Sequence, residues 1–409
     1  MKVFQPRERR LKQSGQIYVL FAFSLPVLLL FVGLAIDFGA AYLTKTTLSK
    51  AVDAAALAGM RSLNQGQARA TAIAQAAFTA NYPSGPRDAN PPAVNIVFGA
   101  DASNNTVVNV NATATINTFF LGVLSGYHTL TVSSNAQATR PKLIMSLVLD
   151  RSGSMNLNGG AQALPPAVDN FLTYFDNNTD QVADVSFSSI ATVDVTIRTN
   201  FQTIISNAVN RMPFGGATFS QAGMLDGQAQ INSVPVSAGE NVVKVAVFFT
   251  DGWANTINNT LNCPPMMSVN FGGCSPPEAA VGWCGGISFM NPLNGNGVGC
   301  GATSFPSQLT GGNLPLTPTS TGQMNIANDA MFRTITVANS MRTQNIVIYS
   351  IGLGDKISQA FLQQVANDPA SPTYNPNEPV GQAVFAPTAA DLQSVFQTIA
   401  AEILLRLSQ

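Results

Sequence analysis

The chain has 409 residues, 46% of them hydrophobic and only 10% charged, with a net charge of −1 and a single histidine. That length holds a membrane anchor and two folded units, one of them large enough to bury a full core. Composition argues against two function classes: no basic patch lies outside the first residues to attract nucleic acid, and one histidine leaves a serine or thiol nucleophile without an evident base.

The N-terminal stretch carries Lys2, Arg7, Arg9, Arg10 and Lys12 against Glu8, a local excess of +4 that leaves −5 for the remainder. Ile17 to Ile36 follows without a charge, and about twenty apolar residues suffice to cross a hydrocarbon core of roughly 30 Å. Beyond it, Asp37 and Asp53 cancel Lys45 and Lys50. The positive-inside rule therefore keeps residues 1–16 in the cytoplasm, against anionic headgroups, and sends the rest outside. A cleaved signal peptide would have a shorter apolar core and a small-x-small site, and none precedes Asp37. The expectation is a single-pass protein of the cytoplasmic (inner) membrane, N-terminus in, with the bulk of the chain periplasmic or otherwise extracytoplasmic.

Residues 37–82 continue as an alanine-rich helical extension in which Leu48, Val52, Ala55 and Ala56 make a small-residue face suited to close helix contact. Three marks stand out between Gly15 and Met60: Asp37 just outside the apolar run, the Leu48 helix, and AVDAAALAG ending at Gly59. On these marks the segment resembles the N-terminal region of TadG-type proteins of the tight-adherence (Flp pilus) system. The C-terminal AADLQSVFQTIAAEILLRLSQ resembles the usual end of that family. The resemblance implies a pilin-like membrane helix joined to a long envelope-exposed region, often with a von Willebrand factor type A domain, and partners among other pilus or pseudopilin-like proteins. One departure concerns processing. Type IV pilins and pseudopilins are cut after a glycine and carry Glu at the fifth mature position. With Gly15 as the cut site that position is Leu20, and the apolar run holds no Glu. This argues for a retained membrane component rather than a fibre subunit.

Residues 93–140 change character. Val94, Ile96 and Phe98 alternate with Asn95 and Val97, and Val107–Ile116 reads VVNVNATATI, a period of two that predicts strands. A small antiparallel sheet joined to a helix, acting as a stalk, is expected here. His128 sits before a predicted strand and reads as structural. Arg140-Pro141 marks the start of the next unit, residues 141–409.

In that unit, apolar runs at Lys142–Asp150, Val182–Phe187, Val193–Thr199, Val242–Asp251 and Asn345–Leu353 predict strands. Amphipathic patterns at Leu164–Phe175, Phe201–Met212, Gln221–Ile231, Asp329–Arg342 and Gln359–Asn367 predict helices between them. The alternation implies an α/β fold, a doubly wound and mostly parallel sheet, with ligands at the carboxyl ends of its strands. Nucleotide binding is disfavoured, since no GxGxxG or GxxxxGK[ST] opens a helix after a strand and IGLGDK at Ile351–Lys356 is too short.

The carboxyl ends carry the candidate site. LIMSLVLDRSGSM, Leu143 to Met155, stops an apolar run at Asp150 and follows it with Ser152 and Ser154. Thr218 lies in the glycine-rich FGGATFS, and Asp251 closes VVKVAVFFTDG. These are hard oxygen donors of the kind that bind Mg²⁺, with Mn²⁺ and Ca²⁺ also suited. In order and context the five resemble the metal-ion-dependent adhesion site (MIDAS) of von Willebrand factor type A domains. The resemblance implies that the hydroxyls bind a divalent cation directly, that the aspartates do so directly or through water, and that the metal accepts a carboxylate from a protein partner. The alternative for DRSGSM alone is a polar turn with a helix-capping serine.

All four cysteines, Cys263, Cys274, Cys284 and Cys300, fall in a Gly-, Pro-, Asn- and Ser-rich insertion at about residues 255–321. They form no CxxC and have no histidine among them, which disfavours zinc, so two disulfides in any of three pairings are expected outside the cytoplasm. The combined expectation is a non-enzymatic pilus-assembly or secretion component that binds a partner through the metal. The alternative is a structural assembly subunit that works through its membrane helix and does not need the metal.

Overall fold

A computed structural model describes the chain except for residues 1–13, 84–87, 89, 126, 258–280, 284–288, 291–296, 299–303, 316–319 and 408–409. The chain forms two compact units: Met1–Gly99 with Val107–Thr139, and Ala100–Thr106 with Arg140–Gln409.

The first unit is built on α1, Ser14–Arg61, an unbroken helix of 48 residues, about 72 Å long at 1.5 Å per residue. It is long and apolar enough to cross a membrane by length and composition, and Leu20, Phe23 and Phe31 on it are exposed. The alanine-rich segment is not one extension. It turns back after a 3-10 turn at Leu63–Gln65 and forms α2, Gln67–Asn81. Gly66 makes the turn at φ 89°, a backbone region that costs glycine nothing. The two helices approach closely at Gly59, where an added Cβ would lie 3.1 Å from the Ala74 Cβ.

Strands β1 (Ala93–Ala100), β2 (Thr106–Asn117) and β3 (Thr129–Arg140), with the short helix α3 (Phe120–Ser125) between the last two, form a sheet in the order β1-β2-β3. The small-residue face of α1 is covered by this sheet. Leu48, Ala51, Val52 and Ala55 share a core with Val108, Val110, Ala112 and Ala138. His128 is exposed, and its backbone carbonyl accepts a hydrogen bond from the Thr118 amide at 3.0 Å.

In the second unit, β4 (Lys142–Asp150) leads through the short α4 (Ser154–Leu157) into α5 (Gly160–Leu172). Next come β5 (Gln181–Phe187), β6 (Ala191–Arg198), α6 (Gln202–Val209), α7 (Ser220–Asn232) and β7 (Val242–Thr250). The insertion contributes short pieces: β8 (Thr256–Ile257), β9 (Val281–Trp283), β10 (Phe289–Met290) and β11 (Gly297–Val298) form one small antiparallel sheet. The hairpin β12 (Ser304–Pro306) and β13 (Asn313–Pro315) follows. All four cysteines lie outside the described residues. The chain closes with α8 (Ser320–Thr343), β14 (Ile346–Leu353), α9 (Gln359–Ala366), β15 (Gln382–Ala386) and α10 (Leu392–Arg406).

The main sheet runs β15-β14-β7-β4-β5-β6 and is parallel except for β6, which pairs antiparallel with β5. Leu143, Met145, Leu147 and Leu149 point to one face, against α5, α6 and α10, where Phe171 meets Phe175 and Phe396 edge-on. Ile144 and Val148 point to the other, with Met224 of α7, Met341 of α8 and Phe361 of α9. The fold is α/β as expected, but β15 and α10 extend it beyond the five strands and five helices read from periodicity. Two helices also begin early: α5 one turn before Leu164, at Gly160, and α8 at Ser320 rather than Asp329.

A buried ion pair and a buried carboxyl lie in this unit. Arg140, 7% exposed, pairs with both oxygens of Asp180 at 2.7 and 2.8 Å. Asp180 also accepts the Leu143 and Asp176 amides. Asp180→Ala would strand a buried guanidinium and two amides. A loss of about 3–5 kcal/mol is expected, measured by denaturant unfolding followed by near-UV circular dichroism.

Asp184 of β5 is fully buried, with neither carboxylate oxygen hydrogen-bonded among the described residues. Burial, and then the charge of Asp194, pushes its pKa well above 3.8. The folded state therefore keeps this proton after the unfolded chain has lost it. Stability falls as pH rises from the unfolded value towards the raised one. Asp184→Asn should remove that part of the slope, so its melting temperature should decline less than that of the parent protein between about pH 4 and pH 8.

Candidate functional site

Parallel pairing of β4 with β7, in a register that sets Leu149 opposite Phe249, brings the carboxyl ends of the two strands together. Asp150 ends β4 and is fully buried. Its Oδ1 accepts the Ser152 amide at 2.7 Å, and its Oδ2 accepts the Thr250 hydroxyl at 2.6 Å. Asp251 follows β7 directly, accepting the Ser154 hydroxyl at 2.6 Å and the Asn158 side-chain amide at 3.0 Å. The Ser152 and Ser154 hydroxyls lie 3.0 Å apart.

The glycine-rich turn is fastened to this loop through its backbone. The Gly215 amide donates to the Arg151 carbonyl at 2.8 Å, and the Gly153 amide to the Gly216 carbonyl at 3.0 Å. Gly216 has φ 87°, and a Cβ there would come within 2.6 Å of the Ser189 hydroxyl. Both restrictions require glycine. Two residues on, the Thr218 amide donates to the Asn255 side-chain oxygen at 2.7 Å, and the Asn255 amide returns a bond to the Thr218 carbonyl at 3.1 Å. Ser154, Thr218 and Asp251 thus line one open pocket of about 280 Å³, together with Leu157, Trp253 and Lys356.

All five residues singled out in the sequence fall in this one region. Thr250, Asn158 and Asn255, which hold them, were not singled out. Thr250 could have been found as the residue before Asp251 in FFTDG; the two asparagines carry no spacing signal.

Burial, with the charge of Asp251 beside it, pushes Asp150 up to about 7. Burial pushes Asp251 up as well. Such a pair favours a bound cation, which supplies the missing countercharge. Among the described residues, no group of three or more His, Cys, Asp or Glu is placed to hold a metal. The donor set here is two carboxylates and three hydroxyls, chemistry that fits a hard divalent ion.

Comparisons with known proteins bear on both parts of the chain. Residues 145–263 match the family model for the von Willebrand factor type A domain, and residues 15–72 match the Tad family model, described as Flp pilus-assembly TadE/G-like. A search of curated proteins finds no match. Among solved structures, the pilus adhesin SpaC from Lactobacillus rhamnosus GG in its open conformation is 18% identical, with a TM-score of 0.43. That similarity covers 78% of this chain but only 34% of SpaC, so the chain spans about a third of that protein. A mutant of the PilB minor pilin from Streptococcus sanguinis is 16% identical over 79% of this chain and 81% of its own, at a TM-score of 0.44. The vWF domain of the type V pili tip protein Mfa5 from Porphyromonas gingivalis is 14% identical over 66% of this chain and 98% of its own, at 0.42. The chain thus carries, in order, a stretch similar to TadE/G-like Flp pilus-assembly proteins and a stretch similar to the von Willebrand factor type A domain.

Proposed function

We propose that the chain is a membrane-anchored, envelope-exposed component of a Flp (tight-adherence) pilus assembly or secretion system. Its A-domain binds a protein partner through a divalent cation held by Asp150, Ser152, Ser154, Thr218 and Asp251. The observation that carries this reading is the oxygen spacing at the strand tips: Ser152 and Ser154 hydroxyls 3.0 Å apart, and Ser154 2.6 Å from Asp251. Mg²⁺ with ligands at about 2.1 Å has octahedral edges of about 3 Å, so small rotations would turn these hydrogen bonds into a ligand set. Mn²⁺ and Ca²⁺ suit the same oxygens.

The bound ion would supply a Lewis-acidic position for one carboxylate oxygen of the partner. Two ligand carboxylates match its charge without surplus, which leaves it attractive to a third. Leu157, Trp253 and Lys356 at the mouth offer that acid an apolar and cationic surround. The role is non-enzymatic: Ser154 donates to a carboxylate that the site needs as a ligand. The N-terminus lies in the cytoplasm and the A-domain outside, where the four cysteines pair as two disulfides.

The test is recovery of partners from envelope extract by the full chain in detergent, with Mg²⁺, with EDTA, and with Asp150→Ala. A partner retained only by the parent protein with Mg²⁺ is expected. Equal recovery in all three would move the function to the membrane helix, with the metal site dispensable. A second expectation concerns the turn that holds Thr218: Gly216→Ala should weaken Mg²⁺ binding by about tenfold, measured by calorimetric titration.

A further inference from the structure

The first unit holds a segment that the A-domain reading does not use. Thr118–His128 leaves β2 and rejoins β3 through a closed neck, the Thr118 amide donating to the His128 carbonyl at 3.0 Å and the Thr118 hydroxyl to the Tyr127 carbonyl at 2.5 Å. Its sequence, TFFLGVLSGYH, contains no Asp, Glu, Lys or Arg. Phe119, Val123 and Tyr127 are 59%, 86% and 68% exposed, an apolar tip that would be costly in water.

Two contacts fix where this tip lies along α1. A Cβ on Gly33 would collide with the Phe120 ring, so the ring sits directly on the helix at that glycine. One turn later, Asp37 is 1% exposed and its carboxylate accepts the Phe119, Phe120 and Leu121 amides at 3.0, 2.9 and 2.9 Å. Gly33 belongs to the charge-free run that ends at Ile36, about 4–5 Å inside its end at 1.5 Å per residue. Amides at the start of a short helix would be expensive in lipid if left bare. Asp37 satisfies three of them and is satisfied in return, so the helix end can be immersed without carrying unpaired polar groups.

We propose that Thr118–His128 inserts into the outer leaflet as a wedge beside α1, with Phe119, Phe120 and Val123 among the lipid chains and Tyr127 at the headgroup level, where aromatic hydroxyl side chains are favoured. The occupant of this surface is lipid, because the contact at Gly33 places it level with the apolar run and no charge interrupts it. The wedge gives the unit a second membrane contact and fixes the rotation of α1 about its axis. It rests on the reading of α1 as a membrane span.

The full chain would be reconstituted in phosphatidylethanolamine–phosphatidylglycerol vesicles. A photoreactive benzoylphenylalanine would replace, one at a time, Leu29 within the span, Val123 at the tip, or Leu157 on the A-domain. Mass spectrometry would then identify what each position cross-links. Lipid adducts at Leu29 and Val123 with none at Leu157 are expected, and Asp37→Ala should lose the Val123 adduct while keeping that at Leu29. Lipid at Leu29 but water-quenched probe or a protein adduct at Val123 overturns the wedge and leaves the span standing. No lipid at either position overturns both.

Discussion

Two carboxylates stand at the ends of neighbouring parallel strands, Asp150 after β4 and Asp251 after β7, and the second unit is arranged around the cost of that placement. Burial and mutual repulsion push Asp150 up to about 7. What offsets the cost locally is a set of donors from two segments: the Ser152 amide, the Ser154 hydroxyl and the Asn158 amide between β4 and α5, and the Thr250 hydroxyl at the end of β7. None of these can be withdrawn without leaving a buried charge short of a partner. The strand-to-helix loop after Asp150 and the turn before Thr218 are laced by backbone bonds at Gly153 and Gly215, so the hydroxyls stay near the carboxylates. A divalent cation is the one group that would relieve repulsion and engage the hydroxyls together.

The core explains how this tip is held. Strands β4 and β7 occupy the centre of the sheet, and both faces are packed by large side chains, Phe249 on one and Phe248 on the other. In a parallel sheet covered on both faces the strand ends cannot slide without moving every layer. The first unit meets a similar problem at the edge of an apolar run. There Asp37 is covered and takes three amides from the start of α3. In both places a carboxylate is tolerated because backbone amides or side-chain donors converge on it.

Much of the site was legible because its chemistry sits in short contiguous strings: DRSGS, GGAT and TDG each carry a residue type that an apolar run or glycine turn would not otherwise require. Central strands were legible for the same reason, since a buried parallel strand reads as a continuous Val, Ile and Phe run. One edge of the sheet was not. Strand β15, QAVFA, is five residues long and half-buried, too short to show a period. The first turn of α5, GAQA, holds no large apolar residue to mark a helical period, so the pattern becomes visible only at Leu164. The fold-back at Gly66 was hidden by an alanine-rich composition that runs through both helices with no change of character.

Everything proposed for the A-domain depends on whether the five oxygens at the strand tips hold a metal. Titration of the full-length protein with Mn²⁺, followed by electron paramagnetic resonance of the free ion, addresses this directly. One saturable site per chain is predicted, competed by Mg²⁺ and absent from Asp150→Ala. Binding that survives the loss of Asp150, or no bound Mn²⁺ at all, would contradict it.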